Sequence, residues 1–521
     1  MARATDTAQP ALLFCVLLAL TAAALAQEPY EGLTLISPVN STETYLIRMD
    51  GTVIRTWHGG GSPASIAYLM DDGSILRPCA DPDGYFGGGG SGGRIQRIDP
   101  DDNVVWDYYF STSEYQQHHD IQPMPNGNVL LIAWELKTMQ EAVDAGRQII
   151  DSEMWPTMIA EVRPVGATGG DVVWEWHLWD HIIQDVDPGK PNYGTLEDHP
   201  ELIDINYSHV GGGQTAGDWI HANAIDYNEE LDQIVFSSRT FCEFFVIDHS
   251  TTAEEAAGHT GGNSGKGGDI LYRWGNPQVY GRGTVDDQYF WVVHGVNWID
   301  PGLPGEGNLL AFNNGDRVGA SYDYSTVDEI VPPVDEYGNY MIEAGAPFGP
   351  PAPTWTYGAF GGFFGSASQC GAYRMPNGNT VICVSAGGYL FEVTQTGAIV
   401  WDYDYPSANI PRAERYWPDP GAGVQSAASA TSVLLAAGPN PFAPSATLRF
   451  TVPSEGPVSI VVHDVAGRRV SVLVDGYFPA GEFVTEWDGR DDEGAVVASG
   501  IYFALMQGEG FTAMRKLALL R

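Results

Sequence analysis

Ile95-Gln96-Arg97-Ile98 runs through the turn Asp99-Pro100-Asp101-Asp102-Asn103 into Val104-Val105-Trp106-Asp107-Tyr108. Both arms carry β-branched residues, the second also Trp106 and Tyr108, and the joint is built of turn formers. The segment therefore reads as a β-hairpin whose second arm ends in tryptophan. The unit recurs along the chain. Residues 45–48 lead to 53–57, ending in Trp57, and residues 159–162 lead to Val172-Val173-Trp174-Glu175-Trp176. Residues 245–248 lead, after an insertion, to Trp274, and residues 390–393 lead to Ile399-Val400-Trp401. A degenerate sixth copy ends at Trp355. Between these units lies a second hairpin type. It runs from His118-His119-Asp120 to Pro125-Asn126-Gly127-Asn128, and again from Cys370-Gly371 to Pro376-Asn377-Gly378-Asn379. Two alternating hairpins make a four-stranded sheet, and sheets repeated radially make a propeller. The expectation is an all-β chain whose main body, 27–424, is a six-bladed β-propeller closed by strands from both of its ends. The uneven spacing of the copies places insertions in loops and argues against a stacked solenoid.

Residues 1–26 are set apart from the fold. Arg3, an apolar run from Ala11 to Ala24 and the small-residue ending Ala24-Leu25-Ala26 have the form of a secretory signal peptide. No later run reaches the roughly 18 apolar residues of a spanning helix. The expected product is exported, without a transmembrane segment once the signal is removed: periplasmic, cell-surface or secreted. The formal net charge of −41 argues against nucleic acid, which needs a basic footprint, and against anionic membrane surfaces. Of five cysteines, Cys15 falls in the signal, leaving Cys79, Cys242, Cys370 and Cys383. Their even number in an exported chain permits disulfides, and buried small apolar residues are the alternative. Small polar residues around 425–434 read as a linker. Residues 435–521, with Trp487-Asp488-Gly489-Arg490-Asp491 and Ser499-Gly500-Ile501-Tyr502-Phe503, read as a small Ig-like β-sandwich.

In a propeller, the innermost strands crowd their first residues around the axis. Aligning those starts brings His119, His221 in Trp219-Ile220-His221-Ala222-Asn223, and His294 in Val293-His294-Gly295 into one register. Arg239, in Ser237-Ser238-Arg239, lies on the strand that returns beside His221. A guanidinium is a planar fork of donors suited to a tetrahedral oxyanion. Three histidines also suit zinc, although a guanidinium beside them disfavours a cation. The glycine-rich run 258–268 lacks phosphate-loop spacing and reads as a loop, and no G-x-S-x-G elbow occurs.

At these residues the chain resembles the arylsulfotransferase family, the aryl-sulfate sulfotransferases that use no nucleotide donor. The resemblance spans about 32–417. It is carried by His118-His119-Asp120 with its Pro-Asn-Gly-Asn turn, Asp218-Trp219-Ile220-His221-Ala222-Asn223, Ser237-Ser238-Arg239, and His294 followed by Gly307-Asn308-Leu309-Leu310 and Asn313-Asn314-Gly315. Residues 178–202 resemble an insertion of a bacterial and archaeal branch. The resemblance implies transfer of a sulfuryl group from an aryl sulfate to a phenol, without a cofactor, through a sulfohistidine at His294. It implies that either His119 or His221 serves as the acid that protonates the departing phenolate and the base that activates the acceptor. Arg239 and Asn223 would bind the sulfuryl oxygens, with His118 as an alternative to His119. The tail resembles C-terminal sorting modules of exported bacterial proteins, including those of type IX secretion, which implies export or sorting machinery as a partner. A surface-displayed binding or adhesion propeller, and a metal-dependent hydrolase or lyase, are the competing readings.

Overall fold

The computed structural model describes residues 28–39, 41–207, 217–315, 324–335, 337–358, 364–405, 409–416, 435–438, 442, 445–452, 455–464, 468–508 and 511–519. Residues 1–26, expected to be a signal peptide and including Cys15, and the expected linker at 425–434 lie outside them. The protein is all-β and propeller-like. Its described helices are single turns or little more, and none is long and apolar enough to cross a membrane.

Six four-stranded antiparallel sheets follow one another between residues 33 and 416. The second is Tyr68–Leu69, Ile75–Ala80, Gly93–Ile98 and Val104–Tyr109; the third is Tyr115–Pro123, Val129–Glu135, Thr157–Val165 and Gly169–His177. The fourth is Ala222–Asn228, Gln233–Ser238, Glu243–Asp248 and Tyr272–Trp274; the fifth is Val293–Trp298, Leu309–Asn313, Thr326–Ile330 and Trp355–Tyr357. The sixth is Gly371–Arg374, Thr380–Val384, Tyr389–Val393 and Ile399–Asp404. The first sheet is assembled from both ends of this region: Ala413–Tyr416 pairs with Leu33–Ile36, which pairs with Glu43–Ile47 and Val53–His58. Glu392 reinforces this closure. It accepts from the Tyr30 N–H at 2.7 Å, pairs with Arg415 where both side chains are fully buried, and accepts from Asn379 at 2.6 Å.

The repeating tryptophan has a structural job in five sheets. Its indole is buried and aromatic, but its N–H needs a partner. Trp106 of the second sheet donates to Gly169 O of the third at 2.8 Å, and Trp174 of the third donates to Thr251 Oγ1, just past the fourth sheet's strand Glu243–Asp248. Trp274 donates to Pro350 O at 2.7 Å, in the loop before Trp355–Tyr357 of the fifth sheet. Trp355 donates to Gln395 O, and Trp401 to Met49 O. Each tryptophan thus latches its sheet to the next. Trp57 breaks the pattern: its Nε1 is buried without a partner. Apolar packing of Trp57 with Leu33, Leu35, Ala67, Ile75 and Ile98 joins the first and second sheets instead.

Cys79, Cys242, Cys370 and Cys383 are all buried and free. Cys370 immediately precedes the strand that pairs with the strand of Cys383, but Cys383 Sγ donates to Ile410 O and Cys370 Sγ to Ser368 O. Residues 435–519 form a three-stranded and a four-stranded antiparallel sheet around one core that includes Leu448, Ile460, Trp487 and Met506.

The latch makes a prediction. Trp106→Phe loses a buried hydrogen bond that Trp57→Phe does not. Urea unfolding should show Trp106→Phe as the more destabilised of the two by about 1–3 kcal/mol. Equal losses would show that the indole N–H contributes nothing.

Candidate functional site

The innermost strands of the third, fourth and fifth sheets share an irregularity. The pairing register slips between Gln117 and Ile121, between Ala222 and Ala224, and between His294 and Asn297. At these bulges His119 has φ +50°, His221 φ +49° and Gly295 φ +55°. Left-handed backbone at a non-glycine residue is strained, and bulges re-aim side chains. Here they turn three imidazoles toward one another. The His119 and His221 rings meet edge to face with centroids 4.7 Å apart. His294 lies within electrostatic reach of both, and of Arg239.

Hydrogen bonding fixes the tautomers. Asn314 Nδ2 donates to Ser366 O at 2.9 Å and Gln369 O at 3.1 Å. Its Oδ1 therefore faces His294 Nδ1 at 2.6 Å and must accept from it. His294 then carries its proton on Nδ1 and a bare lone pair on Nε2. His221 Nδ1–H donates to Asp218 Oδ2 at 2.5 Å, and Asp218 Oδ1 accepts from Trp134 Nε1 at 3.0 Å. Burial would raise the Asp218 carboxyl, but the His221 imidazole beside it outweighs burial and holds it low.

His118 is not in the cluster but behind it. It is fully buried, stacks on Trp134 at 4.1 Å, and bonds His119 Nδ1 through its own Nδ1 at 2.9 Å. Its Nε2 has no partner. An orphaned N–H is rarer than an orphaned acceptor, so His118 Nδ1–H is the donor and His119 carries its proton on Nε2. Burial pushes His118 down to about 3. Burial also holds His119 and His294 well below the usual range, with neighbouring groups adding to it: mainly His221 at His119 and Arg239 at His294. All three rings are therefore neutral near pH 7.

Arg239 follows the strand Gln233–Ser238 and its N–H donates to His221 O at 3.1 Å, which sets it at the same end as the imidazoles. Its guanidinium has no hydrogen-bond or ion-pair partner among the described residues. Asn223 is differently placed from a free binding group. Its Nδ2 donates to Val293 O at 3.0 Å and its Oδ1 accepts from Ser237 at 2.5 Å. The amide ties the His221 strand to the His294 strand.

Three features were not read from the sequence. Gly87–Gly93 lays bare backbone over the site: at Gly90, with φ +70°, a Cβ would fall 2.3 Å from the His119 ring. The run of glycines was a visible signal. Asp218 and Asn314, which set the His221 and His294 tautomers, stand inside quoted motifs but carry no spacing signal. Beneath the cluster lies a buried ion pair of Asp120 and Arg412. Beyond it a cavity of about 920 Å³ contains Asp226, Asp300, Tyr373 and Glu414 and none of the histidines. The channel imidazoles do not form a set, among the described residues, whose donor atoms all lie within 4.8 Å of one another.

Residues 80–339 match the sequence model of the family described as arylsulfotransferase (ASST). The matched span contains every histidine of the cluster, Arg239 and Asn314, and supports a sulfotransferase at the level of the family. No curated protein sequence matches the chain. Among solved structures, the chain is similar to a protein of unknown function from Bacteroides caccae at 11% identity, with 74% of this chain and 100% of that chain covered and a TM-score of 0.40. A periplasmic gluconolactonase from Pseudomonas aeruginosa is similar at 11% identity, covering 88% and 99%, with a TM-score of 0.36. A virginiamycin B lyase from Staphylococcus aureus is similar at 10% identity, covering 73% and 86%, with a TM-score of 0.31.

The buried neutral His118 has a pH signature. Unfolded, it takes a proton as pH falls through its ordinary value of 6.5; folded, it does not until about 3. Its contribution is therefore complete above 6.5 and lost as pH falls below that value. His118→Phe should become more stable relative to wild type by about 1 kcal/mol between pH 7.5 and 5.5. A pH-independent difference in denaturant unfolding would show that the fold does not depress the His118 pKa.

Proposed function

We propose that this chain is an exported aryl-sulfate sulfotransferase that passes a sulfuryl group to a phenolic acceptor through N-sulfated His294. In this reading the six sheets are the blades of a propeller, and residues 435–521 are an Ig-like module for sorting or anchoring. The observation that carries it is the Asn314 amide, whose carbonyl can only accept and so leaves His294 Nε2 as a neutral lone pair in a nest of donors.

The first half-reaction forms a bond between His294 Nε2 and sulfur and breaks the bond from sulfur to the aryl oxygen. The electron pair leaves on that oxygen, which takes a proton from His221 Nε2. The ring keeps its Nδ1–H on Asn314, so the sulfated imidazole carries positive charge and remains a good leaving group. In the second half, the acceptor phenol gives its proton to His221 Nε2 and attacks sulfur, releasing His294. The Asp218 carboxylate stabilises His221 while it is charged. Arg239 and His119 Nε2–H supply donors to the sulfuryl oxygens, where charge accumulates. Asn223 acts as a positioning residue, holding the His221 and His294 strands together.

Purified protein incubated with 4-nitrophenyl sulfate and phenol should release nitrophenolate and form phenyl sulfate. His294→Ala should abolish turnover, and Asp218→Asn should lower kcat by roughly 10²–10⁴-fold. With Asn314→Leu, kcat should fall because His294 loses its fixed tautomer. Full activity in His294→Ala would sink the mechanism.

A further inference from the structure

A second histidine cluster lies away from the channel, where two insertions meet beside the outer strands of the third and fourth sheets. His181 ends the short 3₁₀ turn Leu178–His181 and is fully buried. His259 and Asp269 come from the glycine-rich segment between Asp248 and Tyr272. His181 Nδ1 lies 2.9 Å from Asp269 Oδ1, and His259 Nδ1 lies 2.7 Å from the same oxygen. The three donor atoms all lie within 4.8 Å of one another.

The protons do not fit a neutral cluster. His181 Nε2 faces Ala256 O at 2.8 Å, and a backbone carbonyl only accepts. The single proton of a neutral His181 is therefore on Nε2. Its Nδ1 lone pair then points at a carboxylate oxygen, which also offers only lone pairs. A cation has to lie against both. A second proton on His181 answers this one contact. A metal ion answers it and also the approach of His259 to the same point.

The surroundings suit a metal. A ligating imidazole commonly gives its remote N–H to a carbonyl, which fixes the ring, as Ala256 O does here. Trp176 stacks on His181 with ring centroids 5.5 Å apart and donates to Gly268 O at 2.7 Å. Gly268 is pressed against this ring, since a Cβ there would fall 2.6 Å from His181 Nε2 and 1.9 Å from Ala256 O. The helix Ala253–Ala256 that supplies the carbonyl is held by a capping box of Thr252 and Glu255. His259 is 60% exposed, which leaves an entry path and a position for water. Two imidazoles and a carboxylate are ligands of the zinc class. Zinc distances of about 2.0–2.2 Å to each ligand require the donor atoms to part by roughly 0.5 Å, a shift an exposed His259 accommodates.

We propose that His181, His259 and Asp269 form a structural transition-metal site, of the zinc class, that staples the 178–205 insertion to the 253–271 segment. The site stands apart from the sulfuryl chemistry and does not depend on it. The full-length protein, stripped with a chelator and then titrated with zinc chloride alone, is compared with His259→Ala by calorimetry and by metal analysis after gel filtration. His259 is exposed, so its loss leaves the fold intact, which circular dichroism checks. Wild type should hold one zinc equivalent more than His259→Ala, and zinc should raise Tm in wild type but not in the variant. Asp269→Asn should lose the same equivalent. Equal zinc stoichiometry in wild type and His259→Ala would overturn the site and leave His181 as a buried imidazolium.

Discussion

An indole ring buries well, but its N–H cannot be left in an apolar interior without cost. Five of the repeating tryptophans resolve this by reaching out of their own sheet to an acceptor in or beside the next. The requirement couples sheet to sheet in the order 2, 3, 4, 5, 6, 1. A four-stranded antiparallel sheet alone has two faces to cover; packed between neighbours it has none exposed. The latch at each outer strand keeps the neighbours together, and the inner strands are thereby brought to one place. Everything at the histidine cluster rests on that convergence, because its residues come from positions as distant as 119 and 294.

At the centre, charge is handled by the same accounting of donors and acceptors. Asp120 directly follows His119, pairs with Arg412 and accepts from the Ile225 N–H at 3.0 Å, while Arg412 reaches toward Ser65 at 3.4 Å. One ion pair thus touches the second, third and fourth sheets and the closing segment. Burial raises the Asp120 carboxyl and lowers Arg412, but each is opposed by the other; for Arg412 the pairing wins. Below the pair the carboxyls lose to burial instead. Asp226 is pushed up to about 8 and Glu414 to about 7, both by burial first. The pair therefore divides neutral imidazoles on one side from proton-holding carboxyls on the other.

The tryptophan-ended hairpins were legible because each is local: a turn, two alternating arms and an aromatic end lie within about twenty residues. The nearness of His119, His221 and His294 was legible for a related reason, since each lies on or beside an inner strand at its bulge, although His119 falls mid-strand in Tyr115–Pro123 and His221 just before Ala222–Asn228. What escaped was long-range. Asn314 orients His294 only because Ser366 and Gln369 take its amide protons, and those residues lie over fifty positions away. Asn223 shows the converse. Its motif suggested a binding amide, yet the Val293 carbonyl and the Ser237 hydroxyl, neither adjacent in sequence, occupy it. His118 and His119 are neighbours in sequence with different surroundings, and only the bulge at 117–121 separates the ring facing His221 from the one on Trp134.

The strain at His119 and His221 ties stability to chemistry. A left-handed residue at a bulge costs on the order of 1–3 kcal/mol and persists only where surrounding contacts over-determine it. Here the over-determination is explicit: His119 N–H donates to Gly90 O at 2.7 Å, and His221 O accepts from Arg239 N–H at 3.1 Å. The contact that holds the His221 backbone is thus made by Arg239, whose guanidinium lies within electrostatic reach of His294 and which the proposed reading assigns to the sulfuryl oxygens. A chain with 66 acidic and 25 basic residues repels anions at long range, since its mean field is negative. For an anionic ester, attraction has to be supplied within a few ångströms by fixed donors. In the proposed reading, imidazoles with assigned protons, beside an arginine without a carboxylate partner among the described residues, provide this. The same arrangement explains why the strain is worth keeping: relaxing either bulge would turn an imidazole away and leave the arginine alone against the field of the whole protein.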